Sequence, residues 1–293
     1  MLLEFDLAGA EWHIVSMLCR DPAMLEITRT GKSPHNVTAV RMFNATPEMI
    51  KLEESLNGKL REPEIISANR LKVPGLLDIA ASLPRTMSLR QAAKKSAHGL
   101  NYGEQYLTFA IQNEVENSEA RKLVDLYHKA YPGIQQWHKS IRFELEKNRT
   151  LTNFFGRKCY FMGNIDNDMF KQGYAFKPQS TVVDIVDKAM PMVLEDESPE
   201  FEEASLYAQV HDSLLTDHRS KDFELMAKFA IKVGIDYMRP TLNYGEDFVL
   251  GTTMKAGFDW GHMHEVENFS TDINKLAAEL EKIHKGFFDK KSV

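Results

Sequence analysis

Period-two alternation, the mark of a half-buried strand, is confined here to short stretches set far apart in an otherwise helical sequence. At residues 2–8, Leu3 and Phe5 alternate with Glu4 and Asp6 before Gly9 ends the pattern. Residues 151–161 (LTNFFGRKCYF) predict two short strands around Gly156-Arg157, Tyr207 to Leu215 predict a tight hairpin, and 247–256 a further strand. Helical patterns fill the intervals. One follows Gly9 through Ile14, Val15, Met17 and Leu18, and one starts at Ser33-Pro34, an N-cap and first-turn proline. Others cover about 88–103 (with Gly99 weakening its end), 104–113, 118–130, 133–148, Met169 to Leu194 and 219–238, and an amphipathic helix closes the chain at 271–288. Residues 57–78 carry Gly, two Pro and mixed charge and read as an insertion with little regular structure, extending to about 85. Short strands scattered among helices make the fold class α+β. There is no internal repeat and no low-complexity tract.

A length of 293 residues permits one or two domains with a sizeable core. Two cysteines, Cys19 and Cys159, cannot build a disulfide framework and suit a reducing compartment. No apolar run approaches 18 residues, and the opening MLLEFD lacks a signal-peptide core; the expected location is cytoplasmic, in a host cell if the source is viral. The net charge of -6 excludes a basic, nonspecific nucleic-acid coat. That charge is unevenly placed. Glu195 to Glu203 (EDESPEFEE) holds six acids and no base, so the remainder sums to zero, and the run reads as a solvated loop. Between Ile79 and Gly103 there is no acid at all, while Arg85, Arg90, Lys94 and Lys95 are present.

Two constellations carry chemistry. Asp6 and Asp212 each sit at the end or turn of a predicted strand among apolar neighbours, where a carboxylate is costly unless it meets a donor or a cation. Brought together they would repel unless hard divalent ions lay between them, the device of in-line phosphoryl displacement. Taken singly, each also suits an Asx turn or cap. On the acid-free helix, Arg90, Lys94, His98 and Tyr102 recur every four residues, drifting about 40° per step along one stripe. Cationic and polar groups ending in an aromatic ring suit a triphosphate and a stacked base; a solvated basic face is the other reading.

Two further patterns fail on inspection. Gly31-Lys32-Ser33 mimics the end of a phosphate-binding loop, but Glu26 stands where that loop requires Gly. His262-x-His264 lacks a third metal ligand.

The motifs Asp6-Leu7-x3-Glu11, Arg90-x3-Lys94-x3-His98-Gly99-x2-Tyr102-Gly103 and Gln209-Val210-His211-Asp212 resemble, in order and spacing, motifs A, B and C of the family A (DNA polymerase I-like) DNA polymerases. Thr152-Asn153-Phe154-Phe155-Gly156-Arg157, Pro178-Gln179 and the closing Gly257-Phe258-Asp259-Trp260 resemble further segments of that family, so the likeness spans about residues 1–262. The resemblance implies a palm at 1–30 and 151–264, with the motif C hairpin at 205–217. Helical fingers would fill 31–150, with the motif B helix at about 88–103, and 265–293 would be a C-terminal helical tail. The insertion before motif B suggests a phage-type member.

The implied reaction is DNA synthesis by nucleotidyl transfer from a dNTP to a primer 3′-hydroxyl, with two Mg²⁺ ions held by Asp6, Asp212 and the Leu7 carbonyl. Arg90 and Lys94 would bind the triphosphate, Lys94 also serving as proton donor to pyrophosphate, and Tyr102 would stack at the nascent pair. Glu11 would occupy the space of a ribose 2′-hydroxyl. His211 would touch the primer terminus, and Arg157 and Gln179 would contact template or primer in the minor groove. Several positions depart from the family pattern. His98 replaces Phe or Tyr, so that an imidazole can hydrogen-bond the triphosphate; Ser213 replaces a Glu; Gly9-Ala10 replaces Gln-Ile; His13 replaces an Arg.

In that family the thumb and any 3′–5′ exonuclease precede motif A. The sequence begins five residues before Asp6, so both are expected to be absent and supplied by an N-terminal polymerase chain. Two other readings stand beside this one. A single-subunit RNA polymerase has a similar motif B, but Glu11 at the gate position opposes it. A non-catalytic DNA-binding subunit with relic motifs would have no need to retain Asp6, Asp212, Arg90 and Lys94 together.

Overall fold

A computed structural model describes residues 1–56, 88–267 and 269–289. The insertion expected at 57–85 lies outside the described residues. The chain divides into two compact units, one made of Met1–Glu11 with Gln179–Val293 and the other of Trp12–Pro178. The boundaries fall inside two helices, α1 (Ala10–Cys19) and α9 (Asn167–Glu195).

The first unit is built on a five-stranded antiparallel sheet in the order β4-β5-β1-β8-β9. Its strands are β1 (Leu2–Leu7), β4 (Ala204–Val210), β5 (Ser213–His218), β8 (Thr252–Gly257) and β9 (His264–Glu265). The N-terminal strand is central, paired with β5 on one side and β8 on the other. Alternation along β1 sends Leu3, Phe5 and Leu7 to one face, where all three are fully buried. Each buried side chain contributes about 1.5–3 kcal/mol. Phe5 meets Phe229 of α10 (Phe223–Ile231) and Phe269, ring centroids 6.4 and 6.1 Å apart. Gly234 makes this possible, because a β-carbon there would lie 2.6 Å from the Phe269 ring and 2.9 Å from Phe5. The terminal helix α11 (Ile273–Asp289) buries Leu276 and Leu280 and packs against α10.

Several expectations for this unit shift. The helix expected over 219–238 begins at Phe223, because the Asp222 carboxylate caps the Glu224 and Leu225 amides, and it ends in a π-helical turn over Lys232–Tyr237. The strand expected at 247–256 resolves into a two-residue bridge, β6 (Leu242–Asn243) with β7 (Asp247–Phe248), followed by β8. The acidic run is no simple solvated loop. Lys232 Nζ donates to Asp196 at 2.8 Å and pairs with Glu200 at 3.2 Å, while Tyr237 hydrogen-bonds Asp196 and Phe201 is buried. The Lys232 hydrogen bond holds the Asp196 carboxyl well below the usual carboxylate range.

Among the described residues the second unit is helical apart from one hairpin. Its helices run α2 (Pro22–Thr30), α3 (Pro34–Phe43), α4 (Pro47–Ser55), α5 (Leu89–Asn101), α6 (Tyr106–Asn113), α7 (Asn117–Ala130) and α8 (Pro132–Asn148). Two of them that the periodic pattern does not mark, α2 and α4, start at the N-cap and first-turn pairs Asp21-Pro22 and Thr46-Pro47. The Gly31 of the rejected phosphate-loop mimic is the left-handed cap that ends α2, at φ 63°. Small buried residues of α5 (Ala92, Ala93, Ser96, Ala97) let it pack closely on α3. Asp21 ties the unit together, its carboxylate accepting from Ala23, Met24 and, 112 residues on, Gly133. Among the described residues no helix is long and apolar enough to cross a membrane.

Candidate active site

In the first unit, β1 alternation puts Glu4 and Asp6 on the face opposite Phe5. Asp6 pairs with Ser213 and Thr253 on the neighbouring strands. His211 and Asp212 form the two-residue turn between β4 and β5, closed by the Val210–Ser213 pair. His211 takes the left-handed conformation at φ 56° and is exposed. The Leu7 amide donates to the Asp212 carbonyl at 3.2 Å, which fixes the turn against the end of β1. Burial and the neighbouring Asp212 charge push the Asp6 carboxyl up to about 6. Ser213, where a second acid was expected from the resemblance, locks the turn instead: its hydroxyl donates to the Val210 carbonyl at 2.9 Å.

The donor set fits a hard cation. Two carboxylates on adjoining backbone offer oxygen ligands, and oxygen is what Mg²⁺ prefers. Among the described residues no group of three His, Cys, Asp or Glu could hold a metal, which leaves a two-carboxylate set. Mg²⁺ binds through one or two carboxylates together with substrate phosphates and water, so two suffice. Beside Asp6 lies a cluster that went unseen in the sequence: Glu4 accepts from Lys255 and from the Trp260 indole, both at 3.0 Å. Burial alone would raise the Glu4 carboxyl, but these two donors outweigh it and hold the group low. Trp260 is the closing residue of the GFDW motif, and its partner could not be read from local spacing. Glu11 is half-buried in the first turn of α1, and Gln179 is exposed on α9.

In the second unit, α5 begins at a reciprocal capping box between Ser88 and Gln91. Arg90, Lys94 and His98 follow one stripe, with Lys94 and His98 exposed and Tyr102 at the helix end, edge-on to His98 at 5.9 Å. Lys94 makes no ion pair among the described residues. Arg90 does: its Nε donates to Asn36 Oδ1 at 2.8 Å and lies in an ion pair 2.9 Å from Glu54 Oε1. The local absence of acid therefore did not leave Arg90 unneutralised; the acid comes from α4, 36 residues earlier in sequence. The adjacent Glu53, buried, accepts the Leu89 amide at 2.7 Å and caps the same helix start. The stripe borders a cleft of about 740 Å³ lined also by Gly99, Glu104 and Asn113.

At the C-terminal end of α5, Gly103 turns the chain back at φ 76°, with the Tyr174 ring where its β-carbon would be. Tyr174 is stacked on His138 at 3.9 Å, and His138 Nε2 donates to the Asn101 carbonyl. Arg157 is exposed at the tip of the hairpin of β2 (Thr150–Thr152) and β3 (Lys158–Tyr160). The Asn153 carboxamide builds that tip, accepting from the Phe155 and Arg157 amides at 3.0 and 2.9 Å.

Residues 81–262 match the sequence pattern of DNA polymerase family A. The chain belongs to that family. Its relatives include DNA polymerase I of Geobacillus stearothermophilus, 20% identical over 80% of this chain and 23% of the relative. DNA polymerase I of Pseudomonas aeruginosa is 23% identical over 74% of this chain and 21% of the relative. The family A chain thus spans about a quarter of the length of the relatives it matches. The POL domain of Pol1 from M. smegmatis, solved with DNA primer-template and dNTP, shares the fold. Its TM-score is 0.67 at 19% identity, over 88% of this chain and 40% of that one. The α+β class expected from scattered strands is that of this family A fold.

Proposed function

We propose that this chain carries out template-directed DNA synthesis, joining the α-phosphate of a dNTP to a primer 3′-hydroxyl with release of pyrophosphate. The observation that carries the reading is the Asp6–Asp212 pair, two carboxylates on adjoining backbone, where burial and then the Asp212 charge push Asp6 up to about 6. Such a pair is costly in an apoprotein and is relieved by divalent cations. Family membership and the dNTP and primer-template bound by the M. smegmatis neighbour support it. The sheet-bearing unit then serves as palm and the helical unit as fingers.

Asp6, Asp212 and the Leu7 carbonyl would hold two Mg²⁺ ions, which when bound stabilise charge on the α-phosphate and ease loss of the hydroxyl proton. Arg90, oriented by Asn36 and Glu54, keeps its terminal amino groups for the triphosphate, and exposed Lys94 supplies a second cation and a proton to the leaving pyrophosphate. Tyr102 stacks on the nascent pair. Glu11 excludes a 2′-hydroxyl, while Arg157, Gln179 and His211 touch primer or template.

Primer extension with Mg²⁺ and dNTPs tests this reading, with rNTPs as a parallel arm. Extension by dNTPs alone supports it, equal use of rNTPs supports the RNA polymerase alternative, and DNA binding without extension supports a relic subunit. A further arm adds the segment or chain encoded upstream, proposed as the source of thumb and exonuclease functions.

A further inference from the structure

Gly103 reverses the chain at the end of α5, and the next residue returns over the helix it has just left. The Glu104 amide donates to the Gly99 carbonyl at 3.0 Å, and a β-carbon at Gly99 would lie 1.7 Å from Glu104 Oε2. Glu104 is the first acid after the acid-free stretch, and it enters the same cleft as Arg90, Lys94 and His98. Its Oε1 is buried and has no hydrogen-bond partner among the described residues. A buried acceptor without a donor is costly, and a ligand that brings a donor relieves it.

Position along the stripe identifies that donor. Steps of four residues place the cations Arg90 and Lys94 at one end and the ring of Tyr102 at the other. A nucleotide with its triphosphate on the cations and its base on the ring has its sugar at the level of His98 and Gly99, where the Glu104 carboxylate lies. A 2′-deoxyribose esterified at its 5′ oxygen offers one hydroxyl, at the 3′ position. We infer that Glu104 is a specificity-determining residue that accepts a hydrogen bond from the 3′-hydroxyl of the incoming deoxynucleotide. The inference rests on the nucleotide-binding reading of α5 and adds a sugar contact to it. An ionised carboxylate only accepts, so an analogue lacking the hydroxyl leaves it unsatisfied.

Equilibrium binding of dATP and of its 2′,3′-dideoxy analogue to the full chain tests this. The parent should prefer dATP by about 10- to 100-fold, the range of a hydrogen bond to a charged group. Glu104→Ala should bring the ratio near one by weakening dATP, and Glu104→Gln, which keeps a neutral acceptor, should fall between. The same ratio should hold for the other three base pairs of ligands. Equal binding of both nucleotides by the parent, an unchanged ratio in Glu104→Ala, or a change in base preference in place of sugar preference would overturn the inference. If Glu104→Ala does not fold, the parent ratio and Glu104→Gln decide. The underlying reading has its own control: Lys94→Ala should weaken both nucleotides equally, and absence of any nucleotide binding by the parent sinks that reading and this inference with it.

Discussion

Asp6 and Asp212 are carried by adjoining backbone, the Leu7 amide reaching the Asp212 carbonyl at 3.2 Å, so the two residues cannot part without breaking that hydrogen bond. Burial and this neighbour raise Asp6 from 3.8 to about 6. The native state therefore holds a proton that the unfolded chain has lost between those values, and stability falls as pH rises from about 4 to 6. Asp6→Asn should stabilise the metal-free chain at pH 7 by on the order of 1 kcal/mol, after discounting for the group's partial exposure. Mg²⁺ should raise the thermal midpoint of the parent and leave that of Asp6→Asn unchanged. Primer extension by either Asp6→Asn or Asp212→Asn should drop by on the order of 10³-fold, the loss of several kcal/mol of charge stabilisation.

Gly103 and Gly156 both have positive φ, 76° and 90°, but only the first meets a neighbour. A β-carbon at 103 would lie 2.7 Å from the Tyr174 ring, which cannot yield because His138 stacks on it and Arg142 donates to its hydroxyl at 2.5 Å. Gly103→Ala should cost about 2–3 kcal/mol, strain plus overpacking. Gly156→Ala, with nothing within 4 Å, should cost only about 1–2 kcal/mol of backbone strain. Urea unfolding of the two variants measures the difference.

His138 is kept neutral by burial, which pushes its imidazole from 6.5 down to about 4 despite the hydrogen bond to Asn101. Burial does the same to His13 and His35, each also to about 4. Below pH 6.5 the unfolded chain binds protons that the native state refuses, so stability present above 6.5 is lost as pH falls toward 4. Unfolding followed by circular dichroism should show this loss, and His138→Gln should reduce the slope.

Glu53 caps α5 from 36 residues away, its carboxylate accepting the Leu89 amide at 2.7 Å in a buried setting. Glu53→Ala should cost about 1–3 kcal/mol and Glu53→Gln less, because an amide oxygen still accepts. With Arg90 one residue further on, Glu53→Ala should also raise the KM for dNTP more than it lowers kcat, which steady-state primer extension resolves.

Helix and strand identity was legible wherever period and capping agreed. The alternation at Leu3 and Phe5 gave β1, the helical pattern from about 88 begins at the true start of α5, and the His211–Asp212 turn falls where the hairpin was expected. The structure departs where a cap outranks a periodic pattern, as at Asp222, or where a Pro-led cap starts a short helix, as at Asp21-Pro22 and Thr46-Pro47. Spacing along a single element also sufficed for the stripe Arg90, Lys94 and His98, because a helix fixes which residues share a face.

Partners across elements could not be read this way. The acid beside Arg90 comes from α4, the one over Gly99 returns after a left-handed turn, and Glu4 is satisfied by Lys255 and Trp260 from the far end of the chain. The -6 net charge sits in a run that the sequence marks plainly, yet Lys232 and Tyr237 turn that run into part of the packed first unit. By itself the sequence determined the local elements, the stripe and the two isolated carboxylates. Only the tertiary structure decided that Asp6 and Asp212 adjoin and that Glu104 Oε1 is buried without a donor among the described residues, because desolvation and charge proximity depend on distances between residues that the chain order leaves unrelated.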